Sequence, residues 1–379
     1  MKNRYAPNRA NPKTMITHFR EIFKSIGLKK PSFRNLLLAI IAVCRAKTFR
    51  INEIATRLPI AVKTEKSRQK RLLRFLDTPL PLTRLQNAWF TFIVGHLLRI
   101  KADRYFLLLV DETDLIDGWK AIVAAMPFRH RAIPVFWFIY KDEEIQSRKY
   151  KSHNEIIQRF CLKLYQLSIT SQATVGKAPI LVFDRGFARG KYVIKFLKDR
   201  EIPFIMRICR NVGIRYQGAA TKLDDLKNKF YGDVLYHTTH QIPLQLYVRR
   251  NNGFKDPMYL ISNHVSGHQL YHCYKRRMQI EHGFRDIKSC FGFGKLVLKK
   301  PTHPRVAVLW LLACVAYGLL FLSYEKSATR WAKTFNGRQK RYSVINVIKR
   351  VISDAWHSGY LLSFFTDPRC RGDTLFGIY

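Results

Sequence analysis

Two aspartates stand where apolar runs stop. Tyr105 to Val110 (YFLLLV) is a continuous apolar run of the kind expected for a strand buried on both faces, and it ends at Asp111; a second run, Ile180 to Phe183, opened by Pro179, ends at Asp184. Catalytic groups of open α/β sheets sit just outside strand ends, so the two aspartates point to a shared site. A third acid, Glu281, lies in the basic stretch YKRRMQIEHGFRDIK, where Tyr274, Arg277, Glu281 and Lys288 follow one another at offsets of three, four and seven. On one long helix those offsets return to nearly one face. Two aspartates and a glutamate from separate elements suit magnesium, which keeps several waters and takes few protein oxygens. Two such ions about 3.5–4 Å apart are what phosphodiester cleavage and strand transfer need. Taken singly, each acid has a plainer reading: a strand-end cap for Asp111, an Asx-turn before Gly186 for Asp184, a solvated intrahelical pair for Glu281. Their joint occurrence outweighs these.

Tyr274, Arg277, Glu281 and Lys288 fill the pattern Y-(2)-R-(3)-E-(6)-K without a gap, with VDETDL around Asp111 and LVFDRGF around Asp184 upstream. In this the chain resembles the bacterial insertion-sequence transposases of the insertion sequence four family, over about residues 107–288 and more loosely in the N-terminal region. The resemblance implies an α/β fold with an RNase H-like catalytic core interrupted by a β-rich insertion. It implies two magnesium ions, replaceable by manganese, on Asp111, Asp184 and Glu281, and phosphate contacts from Tyr274, Arg277 and Lys288, with Arg185 a further one. It also implies hydrolytic nicking of element ends, commonly a hairpin intermediate, joining of the 3′-hydroxyl to target DNA, and a dimeric synaptic complex. The first block departs from the family's variable pattern in having Glu112, Asp114 and Asp117 close by; Asp114 is read as solvated. The rival readings are an RNase H-fold nuclease that cuts without joining and an inactive transposase-derived DNA-binding protein.

The elements that must position these residues divide the chain into five stretches. Residues 1–100 read as a helical DNA-binding domain, with Phe33 to Cys44 strongly apolar and Lys63 to Arg74 very basic. Lys66 and Lys70 in that stretch are candidate DNA contacts, although a charge run is also what a solvated helix face looks like. Residues 101–200 form the first part of the core. Strands are expected over Ala121–Ala125 and Ile133–Tyr140, with Pro127 and Pro134 marking turns, and helices over Glu155–Ser168 and Lys191–Lys198. Residues 201–265 alternate apolar and polar positions as an inserted antiparallel subdomain would. A long basic helix over Gln269–Ser289 opens the completion of the core, 266–325, and a helical region, 326–379, follows.

Composition agrees with a nucleic-acid partner. Among 379 residues, 67 Lys and Arg face 26 Asp and Glu, a formal charge of +41 spread along the chain. Such a chain should bind double-stranded DNA in a strongly salt-dependent way. The seven scattered cysteines include no CxxC pair, which fits a reducing compartment. No apolar stretch follows the basic N-terminus until Leu36, which argues against a signal peptide. Val306 to Leu322 is free of charge but at the short end of a membrane span, and reads as a buried core helix. The expected setting is the cytoplasm, at the nucleoid, with no membrane partner.

Overall fold

The computed structural model describes residues 22–23, 26–62, 64–100, 104–175, 177–189, 191–250, 256–336 and 344–351. Helices come first: α1 (Lys30–Ala46), α2 (Ile51–Thr56), α3 (Glu65–Leu76) and α4 (Leu82–Ile100). A meander of β1 (Phe106–Asp114), β2 (Trp119–Phe128) and β3 (Arg131–Lys141) leads into α5 (Asp142–Gln146) and α6 (His153–Val175). Next come β4 (Pro179–Phe183), a 3-10 turn (Arg185–Arg189) and α7 (Lys191–Asp199). Six strands follow: β5 (Phe204–Ile208), β6 (Gly213–Tyr216), β7 (Ala219–Lys222), β8 (Phe230–Tyr236), β9 (Ile242–Arg249) and β10 (Met258–Ser262). Last are α8 (Gln269–Lys275), α9 (Met278–Arg285), a π-helical turn (Asp286–Cys290), α10 (His303–Asn336) and α11 (Val344–Val351). These fall into two compact units, one of Phe90–Asp114 with Gly118–Gly283, the other of Met1–Trp89, Leu115–Asp117 and Phe284–Tyr379.

The first unit is built on one ten-stranded, mostly antiparallel sheet in the order β3-β2-β1-β4-β5-β10-β9-β8-β6-β7. Only β1–β4 and β4–β5 pair in parallel, and the chain reaches β4 and β5 through α6 and α7, as parallel neighbours require. α6 covers β2, β3 and β4. Phe106–Val110 and Ile180–Phe183 are all buried, which explains their uninterrupted apolar runs. The strands between 204 and 262 join this sheet through β5 and continue it, rather than forming a sheet of their own.

Two details differ from the sequence reading. Pro127 and Pro134 lie inside β2 and β3, and the turn between those strands falls at Arg129 and His130. Pro134 sits on the edge strand where the register shifts between Ala124 and Ala125, and Pro127 lies beyond β2's pairing with β1, so neither proline interrupts the β1–β2 ladder. The Gln269–Ser289 stretch is not one helix. Backbone bonds from Arg276 to Cys273 and from Arg277 to Tyr274 tighten the chain after α8, and the π-helical turn follows α9.

The described residues of the second unit are mostly helical. α1 buries Leu36 to Cys44, and Val306 to Phe321 of α10 are buried almost without exception. Of the span His303–Leu322, which is long and apolar enough to cross a membrane, 89% is buried inside the protein, the condition of a core helix. Phe293 stacks edge-on against Phe49 at 5.3 Å and Trp310 at 5.2 Å. Arg305 of α10 holds Asp77, past the end of α3, with bonds of 2.5 and 2.7 Å. In α3, capped by Thr64, Leu72, Phe75 and Leu76 face inward and Lys66 and Lys70 are exposed. Arg68 is turned the other way, donating to the carbonyls of Thr56, Leu58 and Val62, so the basic stretch is part scaffold and part surface. Of the helical region expected over 326–379, residues 337–343 and 352–379 lie outside the described residues.

Candidate active site

Strand register brings the two aspartates together. The β1–β4 ladder runs from Phe106 beside Pro179 to Val110 beside Phe183, and the next residue on each strand is Asp111 or Asp184. Where the sequence places Asp111 after a strand end, β1 runs on to Asp114, and Asp111 faces Val123 across the β1–β2 pairing. What ends at Val110 is the pairing with β4, because the chain leaves β4 at Asp184 into the 3-10 turn.

The third acid arrives from α9, through Arg277. Its Nη1 donates to Asp111 Oδ2 at 3.2 Å, and its Nη2 lies 3.6 Å from Asp184 Oδ2 and donates to Glu281 Oε1. One guanidinium therefore touches all three carboxylates. Tyr274 donates its hydroxyl to Asp184 Oδ1 at 3.3 Å. The tight turn accounts for this pairing: at three residues per turn, Tyr274 and Arg277 come to lie one above the other. The offsets signalled a common face, but not that this face turns onto the acids.

Burial grades across the site. The Arg277 side chain is 6% exposed and that of Asp111 19%, against 36% for Asp184 and 37% for Glu281. Burial, reinforced by the charges of Asp184 and Glu281, raises the Asp111 carboxyl from 3.8 to about 6, although Arg277 and the Glu112 N–H pull the other way. Burial opposes the charge on Arg277, but the surrounding carboxylates outweigh it and hold the guanidinium protonated. Burial, and then the charge of Asp184, push the Tyr274 hydroxyl up, so it stays a donor. Among the described residues no three His, Cys, Asp or Glu side chains stand grouped to hold one metal ion; here a guanidinium lies among the carboxylates.

The other expected residues are placed as follows. Arg185 is exposed at the start of the 3-10 turn after Asp184. Lys288 is half-buried on the π-helical turn, in the helical unit, as Lys66 and Lys70 are on α3. Glu112, next to Asp111 on the strand, points to the opposite face of the sheet. There its Oε2 lies 2.7 Å from His153 Nε2, which is 2.9 Å from the Tyr140 hydroxyl. Burial raises the Glu112 carboxyl, but the bond and charge of His153, with the Tyr140 hydroxyl and the charge of Lys120, more than offset this and leave it below the ordinary range. Asp114 is exposed, as read. Sequence reasoning missed His153 and Tyr140 altogether; neither sits in a motif. It also missed Arg207 of β5, whose charge acts on Tyr274 and whose buried Nε has no hydrogen-bond partner among the described residues.

A family model described as a transposase DDE domain matches residues 159–319. This span, less than half the chain, contains Asp184, Tyr274, Arg277, Glu281 and Lys288 but not Asp111. The match supports a transposase function, and with it a metal-dependent, DNA-cleaving chemistry. No curated protein matches the chain.

Proposed function

We propose that the chain is a DDE transposase of the insertion sequence four family that binds the ends of its element, cleaves them and joins the freed 3′-hydroxyl ends to target DNA. One observation carries this reading: acids from β1, the end of β4 and α9 meet on one buried arginine. The transposase DDE domain match supports it, as does a charge of +41 suited to a phosphate polymer. The core is read as RNase H-like, with residues 201–265 as its β-rich insertion and residues 1–100 as the DNA-binding domain.

The donor set suits hard divalent ions. Three carboxylates with three formal negative charges already gather a cationic group, and their more exposed members face outward. Asp111, Asp184 and Glu281 would hold two magnesium ions, or manganese in their place, which when bound activate the attacking oxygen and stabilise the leaving one. The chain's own groups orient the substrate. Tyr274 fixes one oxygen of Asp184, and Arg277 aligns the three acids. Lys288, Arg185, Lys66 and Lys70, with Tyr274 and Arg277, are the residues assigned to DNA. The working form is read as a homodimer on double-stranded DNA in the cytoplasm, at the nucleoid, and not at a membrane.

The test is a magnesium-dependent cleavage and strand-transfer assay on DNA carrying the element's own ends, comparing wild type with Glu281→Ala. Cutting and joining by wild type, with a variant that binds the ends but does neither, is the expected result. Cutting without joining would point to a nuclease, and full activity in the variant would refute the assignment of the third acid.

A further inference from the structure

We propose that His153 is a positioning residue for Asp111: by holding Glu112 on the opposite face of the sheet, it fixes the stretch of β1 that presents Asp111 to the other two acids. This rests on the reading of Asp111, Asp184 and Glu281 as metal ligands. Asp111 stands where β1 loses a neighbour. As far as Val110 the strand pairs with both β2 and β4, and from Asp111 to Asp114 it pairs with β2 alone. A strand bonded along one side leaves backbone groups unpaired on the other, and with fewer bonds it opens more readily. Glu112 supplies a second hold from behind. Its Oε2 lies 2.7 Å from His153 Nε2, and that nitrogen lies 2.9 Å from the Tyr140 hydroxyl. Tyr140 is fully buried near the end of β3, and His153 is the first residue of α6. The contact thus ties β1 to β3 and to the crossover helix that leads into β4 and Asp184.

One peptide unit carries this hold to Asp111. The Glu112 N–H donates to Asp111 Oδ1 at 2.9 Å, while Arg277 Nη1 donates to Asp111 Oδ2 at 3.2 Å. Successive residues of a strand face opposite ways, so a rotation of β1 that swings Glu112 away from His153 also turns the Asp111 carboxylate relative to Arg277. The pair is poorly placed to hold the fold and well placed to hold this angle. The His153 and Glu112 side chains are 45% and 27% exposed, a setting in which an ion pair adds little stability. The strands themselves are secured by Phe106–Val110 and Ile180–Phe183, which are all buried. Catalysis is less forgiving, since a displacement of about 1 Å at a reacting group costs on the order of 100-fold in rate. Loss of His153 should therefore cost far more in rate than in stability.

The experiment uses the full chain as wild type, His153→Ala, His153→Gln, Glu112→Ala and the two alanine changes combined. It reads magnesium-dependent cleavage at saturating DNA carrying the element's own ends, affinity for those ends, the thermal midpoint, and Mn2+ affinity without DNA from the electron paramagnetic resonance signal of the free ion. His153→Ala is expected to bind the ends as wild type does and to melt within about 5 °C of it. It should cleave at least about tenfold more slowly and bind Mn2+ at least about threefold more weakly. Glutamine puts an amide N–H where Nε2 stands, so His153→Gln should recover both. Glu112→Ala should match His153→Ala, and the combined variant should be no worse than either, because the two residues act along one path. Wild-type cleavage or Mn2+ affinity in either alanine variant, losses that add in the combined variant, or no recovery in His153→Gln overturns the proposal. Each alanine variant carries the prediction alone, so one that does not fold leaves the other to decide. Failure of the underlying reading looks different: wild type that binds no saturable Mn2+, or Asp111→Asn that binds it as tightly as wild type, removes the metal site and the proposal with it.

Discussion

Asp111→Asn is expected to stabilise the metal-free protein at pH 8. The Asp111 carboxyl is raised from 3.8 to about 6, by burial first and then by Asp184 and Glu281. The folded chain therefore holds this proton more tightly than the unfolded chain does. Its contribution to stability is fully present below about pH 4 and is lost as pH rises through about 6. The whole shift corresponds to about 3 kcal/mol by linkage. Asparagine removes the charge but keeps an oxygen able to accept from Arg277 or the Glu112 N–H, at the strength of a neutral bond, so the net gain at pH 8 should be about 1–2 kcal/mol. Urea unfolding of both proteins in chelator, stepped from pH 4 to pH 8, measures it. The difference between variant and wild type should be near zero at pH 4, grow across pH 4–6 and level off above. A difference that does not change with pH, or a variant less stable at pH 8, would refute the claim that Asp111 ionises against the fold.

Three further outcomes are expected. His153→Ala takes from half-buried Glu112 its ion-pair partner while Tyr140 stays beside it; with both side chains partly exposed, the cost should be about 1 kcal/mol near neutral pH, and acid unfolding should begin at higher pH. The sign follows from Glu112 lying below its ordinary value: its contribution is present above that value and lost as pH falls. Trp310→Ala empties a fully buried site between Phe293 and the body of α10 and should cost about 3–5 kcal/mol, read as a lowered thermal midpoint. Lys66→Gln with Lys70→Gln, both exposed on α3, should weaken DNA binding across sequences and lower the slope of log affinity against log salt by about 2, with unchanged folding.

Much of the site was legible because its strands are buried on both faces. A run such as LLLV or ILVF states its burial in its composition, and the acid that ends the run states where the parallel pairing ends. The partners of a strand are another matter. FIMRI reads the same beside any neighbour, so its parallel pairing with β4, and the continuity of the sheet that follows, could not be read from Phe204 to Ile208. The break between α8 and α9 rests on backbone bonds that the basic residues around it do not encode. The orientation of Arg277 depends on that break, which is why the spacing identified the residue without identifying what it touches. His153 and Glu112 lie 41 residues apart, and no periodicity links them.

The route of the chain through this site also sets a timetable for its synthesis. Arg277 is made 166 residues after Asp111, and Tyr274 is made 90 residues after Asp184. At roughly 5–20 residues per second, a nascent chain spends on the order of 5–20 s with both aspartates present and nothing yet made to meet them. Tyrosine, arginine and glutamate then emerge within one stretch, Tyr274 to Glu281. A chain released from the ribosome before that stretch could form every strand of the sheet and still hold only two of the three acids, so the site is completed at one late step of translation.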